Sequence, residues 1–438
     1  MTNQGNLPPL VYVPMVADYI HHGHINVINE AKKLGRVVIG LMTDRAAASY
    51  KRLPLLSYEE RKYILESVDG VSEVVPQHQL DYVPAIEEYK PKYFVHGTDW
   101  KTGVQQTARN RVIEAMDKIN GVVVEPEYTN GISSSEVVKN ISSTGISPDR
   151  RLSQLRRLLS VKDYLRGIEA HNGLTGLIAE SASYETEAQT RKFDFLWLSS
   201  LTDSTAKGKP DIELVDATSR LQTIQDILDV TTIPIIYDAD TGGKLEHFPY
   251  LVSSLCRLGV SACVIEDKKG LKRNSLFGTD VEQTQEDPDV FAQKIIAGRQ
   301  AAVNSSFMVI ARIESLILGA GVDDAINRAA VYVKAGADGI MIHSRNKDID
   351  EIREFCSQYD QFDIKPPLVF VPSSYNKYHE TELSELGANI IIYANQLLRS
   401  AYPAMLGCAN TILENQRSYE ADSKMMSIKD ILNLIPGV

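Results

Sequence analysis

Basic residues are in the minority in this chain, cysteine and tryptophan are scarce, and no apolar run is long. Lys and Arg number 46 against 57 Asp and Glu, a formal net charge of −11. That balance excludes sequence-independent attraction to nucleic acid or to an anionic membrane, so an anionic substrate must be drawn by a local site. The four cysteines, Cys256, Cys263, Cys356 and Cys408, lack metal-type pair spacing. They read as core-facing thiols in a reducing compartment, and neither a disulfide nor a zinc site is expected. The stretch FMVIARIESLILGAGV is interrupted by Arg312 and Glu314, and the start MTNQGNLPPL has neither a basic nor an apolar targeting region. No membrane span is expected, and the cytoplasm is the expected location.

Length and apolar content are what the chain does have. Its 438 residues exceed what one core usually holds, and 43% apolar residues can fill two. Residues 8–142 alternate β-branched runs (VYVPMV, VVIGLMTD, EVV, YFVHGTD, GVVVEP) with helical patterns, among them one from about Ile25 to Leu34 closed by Gly35 and one in SYEERKYILESV. Such alternation argues for a parallel, Rossmann-like sheet covered by helices. The Ser, Gly and Pro of NISSTGISPDRR mark a linker over 143–150. From 151 to 438 eight strands alternate with helices: GIEAH, DFLWLSS, PIIYDAD, ACVIED, MVIARIE, GIMIHS, PLVFVP and NIIIYAN. Eight such units in a segment of this length match an α/β fold of the (β/α)8 TIM barrel type, roughly 250 residues, with a doubly wound sheet as the runner-up.

Polar residues decide between these two folds. His171, Ser199, Asp238 with Asp240, Glu266 with Asp267, Arg312 with Glu314, and His343 close the C-terminal edges of the strands. In a barrel those edges converge on one mouth. Asp238, Asp240 and Glu266 end neighbouring strands, and the mutual repulsion of three carboxylates is tolerable around a hard cation such as Mg²⁺. A single acidic strand end would as readily be a solvated or helix-capping residue. The segment EDKKGLKRNSL places Lys272, Asn274 and Ser275 to form a polar lid, though the same residues in a plain surface loop would look alike. Arg312 offers a planar cationic fork and His343 a donor for an anionic phosphoryl group; taken alone, His343 reads better as a satisfied core histidine.

Through EAHNGLTGLI, WLSSLTDSTAKGKPD, DADTGG, EDKKGLKRNSLFG, FMVIARIESLILG, AGADGIMIHS and YANQLLRS, residues 160–400 resemble the phosphoenolpyruvate mutase branch of the phosphoenolpyruvate mutase/isocitrate lyase superfamily. The resemblance implies interconversion of phosphoenolpyruvate and phosphonopyruvate. Mg²⁺ would be held by Asp238 directly and by Asp240 and Glu266 mainly through water. It further implies Trp197 and Ser199 at the pocket floor, the amides of Ser200 and Leu201 as an oxyanion hole, and Asp211 steering from the side. Arg312, His343 and Asn274 would hold a metaphosphate-like group, with Lys272 and Ser275 in the lid. Ser200 stands where the family often has Gly. Lyases of the superfamily carry a catalytic Cys after the fourth strand, and 267–280 contains none. Phosphonopyruvate hydrolase is a closer alternative. Relatives are homo-oligomers that exchange their last helix, and the helical end after Tyr393 permits a dimer or tetramer of this kind.

In the front half, ADYIHHGH sets His21, Gly23 and His24 at the start of a helix, where two imidazoles and a positive helix end suit a nucleotide phosphate. A chance His-rich turn would look the same. With HHGHINVINEAKKLG, SYEERKYILESV, HGTDW and NGISSSEVV the region resembles the HxGH nucleotidyltransferases, in particular the glycerol-3-phosphate and ethanolamine-phosphate cytidylyltransferase type. The likeness implies that Asp18, His21, His24, Lys51, Ser133 and Ser134 handle a triphosphate and its metal, with Gly97, Asp99 and Trp100 near nucleotide and acceptor. Tyr128 and Asp69 stand where relatives acting on glycerol phosphate have Arg, which points to another acceptor. The two halves together resemble the bifunctional enzymes of fosfomycin-type phosphonate biosynthesis. That implies CTP as co-substrate and CMP transfer to a phosphonate such as 2-hydroxyethylphosphonate. A degenerate front domain kept for assembly, or a scaffold with a vestigial barrel, is the alternative of another class.

Overall fold

The computed structural model describes residues 8–101, 105–126, 147–186, 190–270 and 272–435, and of Asp99 the backbone alone. Five short Val- and Ile-rich strands open the chain: β1 Leu10–Met15, β2 Arg36–Met42, β3 Val71–Gln77, β4 Tyr93–Val95 and β5 Val122–Val124. All pair in parallel, in the order β3-β2-β1-β4-β5. Successive side chains point to opposite faces, and both faces are covered. Tyr12, Val38 and Phe94 enter one apolar cluster, while Val11, Val13, Val37 and Ile39 enter the other. The order reverses between β1 and β4, and there the loops leaving the carboxyl ends of the strands part to form a crevice. That geometry puts segments 16–24 and 96–100 side by side.

The helices of this half are α1 His22–Lys32, α2 Asp44–Ala48, α3 Tyr58–Glu66, α4 Val83–Tyr89 and α5 Gln105–Lys118. Helix α1 starts three residues before the expected Ile25, because histidines do the capping. The His21 imidazole accepts from Gly23 N, and the His24 ring accepts from His21 N.

The last three residues of the expected linker, 148–150, already belong to α6, Pro148–Val161, while 143–146 lie outside the described residues. Pro148 stands in the first turn, where its missing N–H costs nothing. Eight parallel strands then close a barrel: β6 Leu165–Glu169, β7 Phe195–Leu198, β8 Ile235–Asp238, β9 Ala262–Glu266, β10 Met308–Ile313, β11 Gly339–Ile342, β12 Leu368–Phe370 and β13 Ala388–Tyr393, the last pairing with β6. All eight match the strands read from the sequence. The Rossmann-like sheet and the (β/α)8 barrel are thus both formed, and the doubly wound alternative falls with the closure.

Alternation within the strands splits the barrel core. Trp197, Ile236, Val264, Ile310, Met341, Val369 and Ile390 fill the lumen, whereas Leu196, Ile235, Cys263, Val309, Ile340 and Phe370 pack outward under the helices. Helix α6 closes the N-terminal end: Leu155 and Leu158 join the lumen cluster, and Arg156 bonds Ser306 O and Asp338, both just ahead of strands. All four cysteines are free, Cys256, Cys263 and Cys356 buried and Cys408 partly so. Among the described residues no helix is long and apolar enough to cross a membrane.

Candidate active site

The C-terminal mouth of the barrel holds a cavity lined by Trp197, Ser199, Ser200, Leu201, Asp211, Asp238, Glu266, Lys272, Asn274, Ser275, Arg312 and His343. Twelve side chains singled out in the sequence therefore meet at one place. β7 delivers Trp197, and the turn after it delivers Ser199 to Leu201; Ser199 caps the next helix by accepting from Thr202 N. β8 ends at Asp238. Two residues on, Asp240 adopts a left-handed backbone (φ 56°), from which its N–H donates to Asp238 Oδ1 at 3.2 Å and its carbonyl accepts from Glu266 N at 2.8 Å. That turn ties the ends of β8 and β9 together.

Asp240 is the one barrel residue of the expected set that does not line the cavity. Its carboxylate faces the Lys272 ammonium and Arg220, whose guanidinium lies 2.9 Å away and over the Tyr237 ring. Lys272 reaches Ser200 Oγ at 2.6 Å and Asp211 at 3.0 Å as well. Burial would discharge this lysine, but Asp240, Asp238, Glu266 and Asp211 together raise its pKa and keep it an ammonium. Lys272 thus faces both Asp240 and Asp211, while Asp238 and Glu266 border the cavity. Among the described residues no three His, Cys, Asp or Glu side chains are arranged to hold a metal directly.

The remaining donors nevertheless suit a hard divalent cation. Asp238 and Glu266 are both buried and both border the cavity. Among the described residues Glu266 Oε1 has no hydrogen-bond donor, its nearest cation being the Lys268 ammonium at 3.2 Å. A buried carboxylate oxygen left in that condition is costly unless a cation or an ordered water completes it. Burial pushes the Glu266 carboxyl up against the pull of Arg312, Lys268 and Lys272.

The lid is folded over the mouth. Lys268–Lys269 and Thr284–Gln285 form a short antiparallel ribbon at its base. Asn274 caps the turn Ser275–Asp280 through Leu276 N and donates from Nδ2 to Asp211 at 2.8 Å. Lys268, absent from the sequence-based set, holds the lid from beneath. Its ammonium donates to Arg273 O, Ser275 Oγ and Gln283 Oε1 at 2.9–3.0 Å.

Arg312 donates to Ser275 Oγ and Glu314, 2.6 Å each. His343 is buried, and among the described residues its Nδ1 has no hydrogen-bond partner. Burial first, then Arg312, pushes its pKa down to about 3, so a neutral imidazole lines the cavity. Ser200 turns toward the end of β8. Its amide donates to Asp238 at 3.1 Å and its hydroxyl to the same oxygen at 2.8 Å, so the residue orients Asp238 with both groups.

Also in the lining, and not foreseen, are Leu276, Val371, Ser373, Ala394 and Asn395. Ser373 and Asn395 follow β12 and β13, and the rule of polar strand ends would have found them had it been carried to the last two strands. Arg220 comes from a helix and carries no signal of its own in the sequence.

In the front half His21 and His24 stand with ring centroids 4.2 Å apart beside the crevice. Gly23 has a local reason: a Cβ there would lie 2.8 Å from the His21 ring. Asp18 accepts from Leu56 N at 3.0 Å, and Lys51, exposed on the same segment, is close enough to depress the His24 pKa. The Gly97 carbonyl accepts from His96 Nδ1 at 2.9 Å, and Asp99 falls in the turn Thr98–Lys101. Trp100 is wholly buried behind His96, stacked on it at 4.1 Å, with its indole N–H on Glu125, so it shapes the crevice through His96. Ser133, Ser134 and Tyr128 lie outside the described residues. Asp69 is exposed and paired with Lys32.

Comparison with known proteins agrees with this geometry. Residues 155–413 match the phosphoenolpyruvate phosphomutase family, and residues 16–140 match the cytidylyltransferase-like family. The phosphoenolpyruvate phosphomutase of Tetrahymena pyriformis is 30% identical over 299 residues, 68% of this chain and 95% of that protein. The phosphonopyruvate hydrolase of Variovorax sp. (strain Pal2) is 34% identical over 282 residues, 64% of this chain and 93% of that one. The crystal structure of the phosphoenolpyruvate phosphomutase from Streptomyces platensis subsp. rosaceus superposes with a TM-score of 0.59 at 29% identity, covering 66% of this chain and 95% of the other. The chain therefore belongs to the phosphoenolpyruvate phosphomutase family and carries a cytidylyltransferase-like domain in front of its barrel.

Proposed function

We propose that the barrel makes and breaks the carbon–phosphorus bond of phosphonopyruvate, interconverting it with phosphoenolpyruvate. The observation that carries this reading is the lid: Lys272, Asn274 and Ser275 border the same small cavity as Asp238, Glu266, Arg312 and His343. A phosphoryl group in flight survives where water is excluded. In the mutase direction the enol P–O bond of phosphoenolpyruvate breaks, and Arg312, neutral His343 and Asn274 hold the phosphoryl group. C3 of the same pyruvate enolate then forms the P–C bond, so no proton or leaving group is lost. Asp238 directly, with Glu266 and Asp240 through water, would hold Mg²⁺, which supplies charge neutralisation at the enolate oxygen and carboxylate. Ser200 keeps Asp238 oriented, and Lys272 keeps Asp211 and Asp240 from repelling the substrate carboxylate.

A second reading, phosphonopyruvate hydrolysis, is favoured by the 34% identity to the Variovorax hydrolase. Water would then take the phosphoryl group and leave pyruvate and phosphate. For the front domain the proposal is CMP transfer: a phosphonate oxygen of an acceptor such as 2-hydroxyethylphosphonate attacks the α-phosphorus of CTP, and pyrophosphate leaves. The His21–His24 turn at the start of α1 supports it.

Phosphorus NMR tests these activities. The protein with phosphonopyruvate and Mg²⁺ is expected to yield phosphoenolpyruvate, and Asp238→Ala is expected to abolish the conversion. Inorganic phosphate in its place would establish the hydrolase; no conversion would leave a scaffold. In the same assay CTP with the phosphonate should release pyrophosphate.

A further inference from the structure

The helix that floors the barrel holds a loop of the front domain. Segment 49–56, between α2 and α3, carries Lys51 and, through Leu56 N, holds the Asp18 carboxylate. This stretch has no strand partner, so its carbonyls need donors from elsewhere. Three arginines supply them. Arg61, wholly buried on α3, donates to Leu56 O at 3.2 Å, Val16 O at 2.5 Å and Asp44 at 2.6 Å. The other two belong to α6, the helix that floors the barrel. Arg150 donates to Leu55 O at 2.8 Å, and Arg157 donates to Leu55 O at 2.8 Å, Leu56 O at 3.3 Å and Asp44 at 3.1 Å. Ala48 and Leu53 on either side of Lys51 join the apolar cluster of the barrel lumen, and Arg52 pairs with Glu180 of a barrel helix at 3.2 Å.

We propose that Arg157 is a positioning residue for the nucleoside triphosphate site of the front domain, so that this site is complete only when the barrel is attached. The proposal rests on the nucleotidyltransferase reading above. A guanidinium suits the role because its planar fork serves two carbonyls and a carboxylate at once, which an ammonium on a flexible stem cannot do in the same geometry. Asp44 is the hinge of the arrangement: one oxygen takes Arg61 from its own domain, and the other takes Arg157 from the barrel. Losing Arg157 leaves Asp18 and Lys51 in the chain but frees the segment that fixes their separation.

The experiment uses the full chain with Arg157→Met and Arg157→Lys. Hydrogen exchange of 50–57 should speed up in Arg157→Met, the KM for CTP in pyrophosphate release should rise about tenfold, equivalent to about 1.4 kcal/mol, with a smaller change in kcat, and Arg157→Lys should recover part of the loss. Phosphonopyruvate turnover by the barrel should stay at the wild-type level in both, which certifies folding. Asp44→Asn, which weakens the same seam from the other side, should move exchange and KM in the same direction. Unchanged exchange and KM in Arg157→Met would overturn the proposal, as would a parallel loss of barrel turnover, which signals general unfolding. If wild type releases no pyrophosphate from any nucleoside triphosphate, the nucleotidyltransferase reading fails. Faster exchange in Arg157→Met would then still show the anchoring without a nucleotide role.

Discussion

His343 and His24 are held neutral by their surroundings, and each shows how burial converts an ordinary residue into a directional one. His343 is kept uncharged by burial and by Arg312, and a neutral ring can still donate its single N–H to a phosphoryl oxygen. His24 is pushed down to about 4 by burial, then by His21 and Lys51. Its Nδ1 accepts from His21 N at 3.4 Å, so the remaining proton sits on Nε2. In the unfolded chain the same imidazole titrates near 6.5. Between about pH 6.5 and pH 4 the unfolded state therefore binds a proton that the folded state refuses. The contribution to stability is complete above pH 6.5 and is lost as the pH falls toward 4. The stability of the front domain should fall as the pH is lowered across that window, and His24→Gln should flatten the dependence. A His24 imidazole resonance that titrates near 6.5 in the folded protein would defeat this account.

At the scale of elements the lid depends on one lysine beneath it. Lys268 lies between Glu266 and Glu314, 3.2 and 3.3 Å from them, and donates to three oxygens of the lid. In Lys268→Met the stem remains, but two buried carboxylates lose a counter-charge, a change that costs about 3–5 kcal/mol when a buried pair is broken. Amides of 273–283 should exchange faster in that variant, and kcat/KM for phosphonopyruvate should fall about 10²-fold as the closed state is depopulated. Exchange rates equal to wild type would show that the lid stands without it.

The strands were legible because each is a β-branched run cut off by a polar residue, and parallel pairing needs little more than that pattern. Element starts were harder. His21 is outside the usual set of capping residues, so the pattern places α1 late; Pro148 reads as a breaker although the first helical turn tolerates it. The side chains of the site could be named, but their partners could not. Whether Asp240 turns to a shared metal or to Lys272 and Arg220 depends on a helix and a loop distant in sequence, and the engagement of the Ser200 hydroxyl follows only from where Asp238 ends up.

For the whole molecule, the C-terminal helix Gln396–Asn415 raises the question of what covers it. Glu169 of β6 fixes its beginning by accepting from Leu398 N at 2.7 Å, yet none of its 20 residues is buried. Tyr402, Met405 and Leu413 are 67, 66 and 76% exposed, and Ile428 and Leu432 of the following segment stand out as far. A monomer that left so much apolar surface in water would forgo about 25 cal/mol for every Å² it failed to bury. A second copy of the chain is the simplest cover, because an isologous contact lets each helix be both ligand and receptor. The solution mass by light scattering should accordingly be a multiple of the 48.7 kDa chain. Met405→Glu with Leu413→Glu should shift it to that single-chain value while the barrel remains folded by circular dichroism. A wild-type mass already equal to one chain would mean that this helix projects into solvent unaided, and that its apolar face answers to something other than self-association.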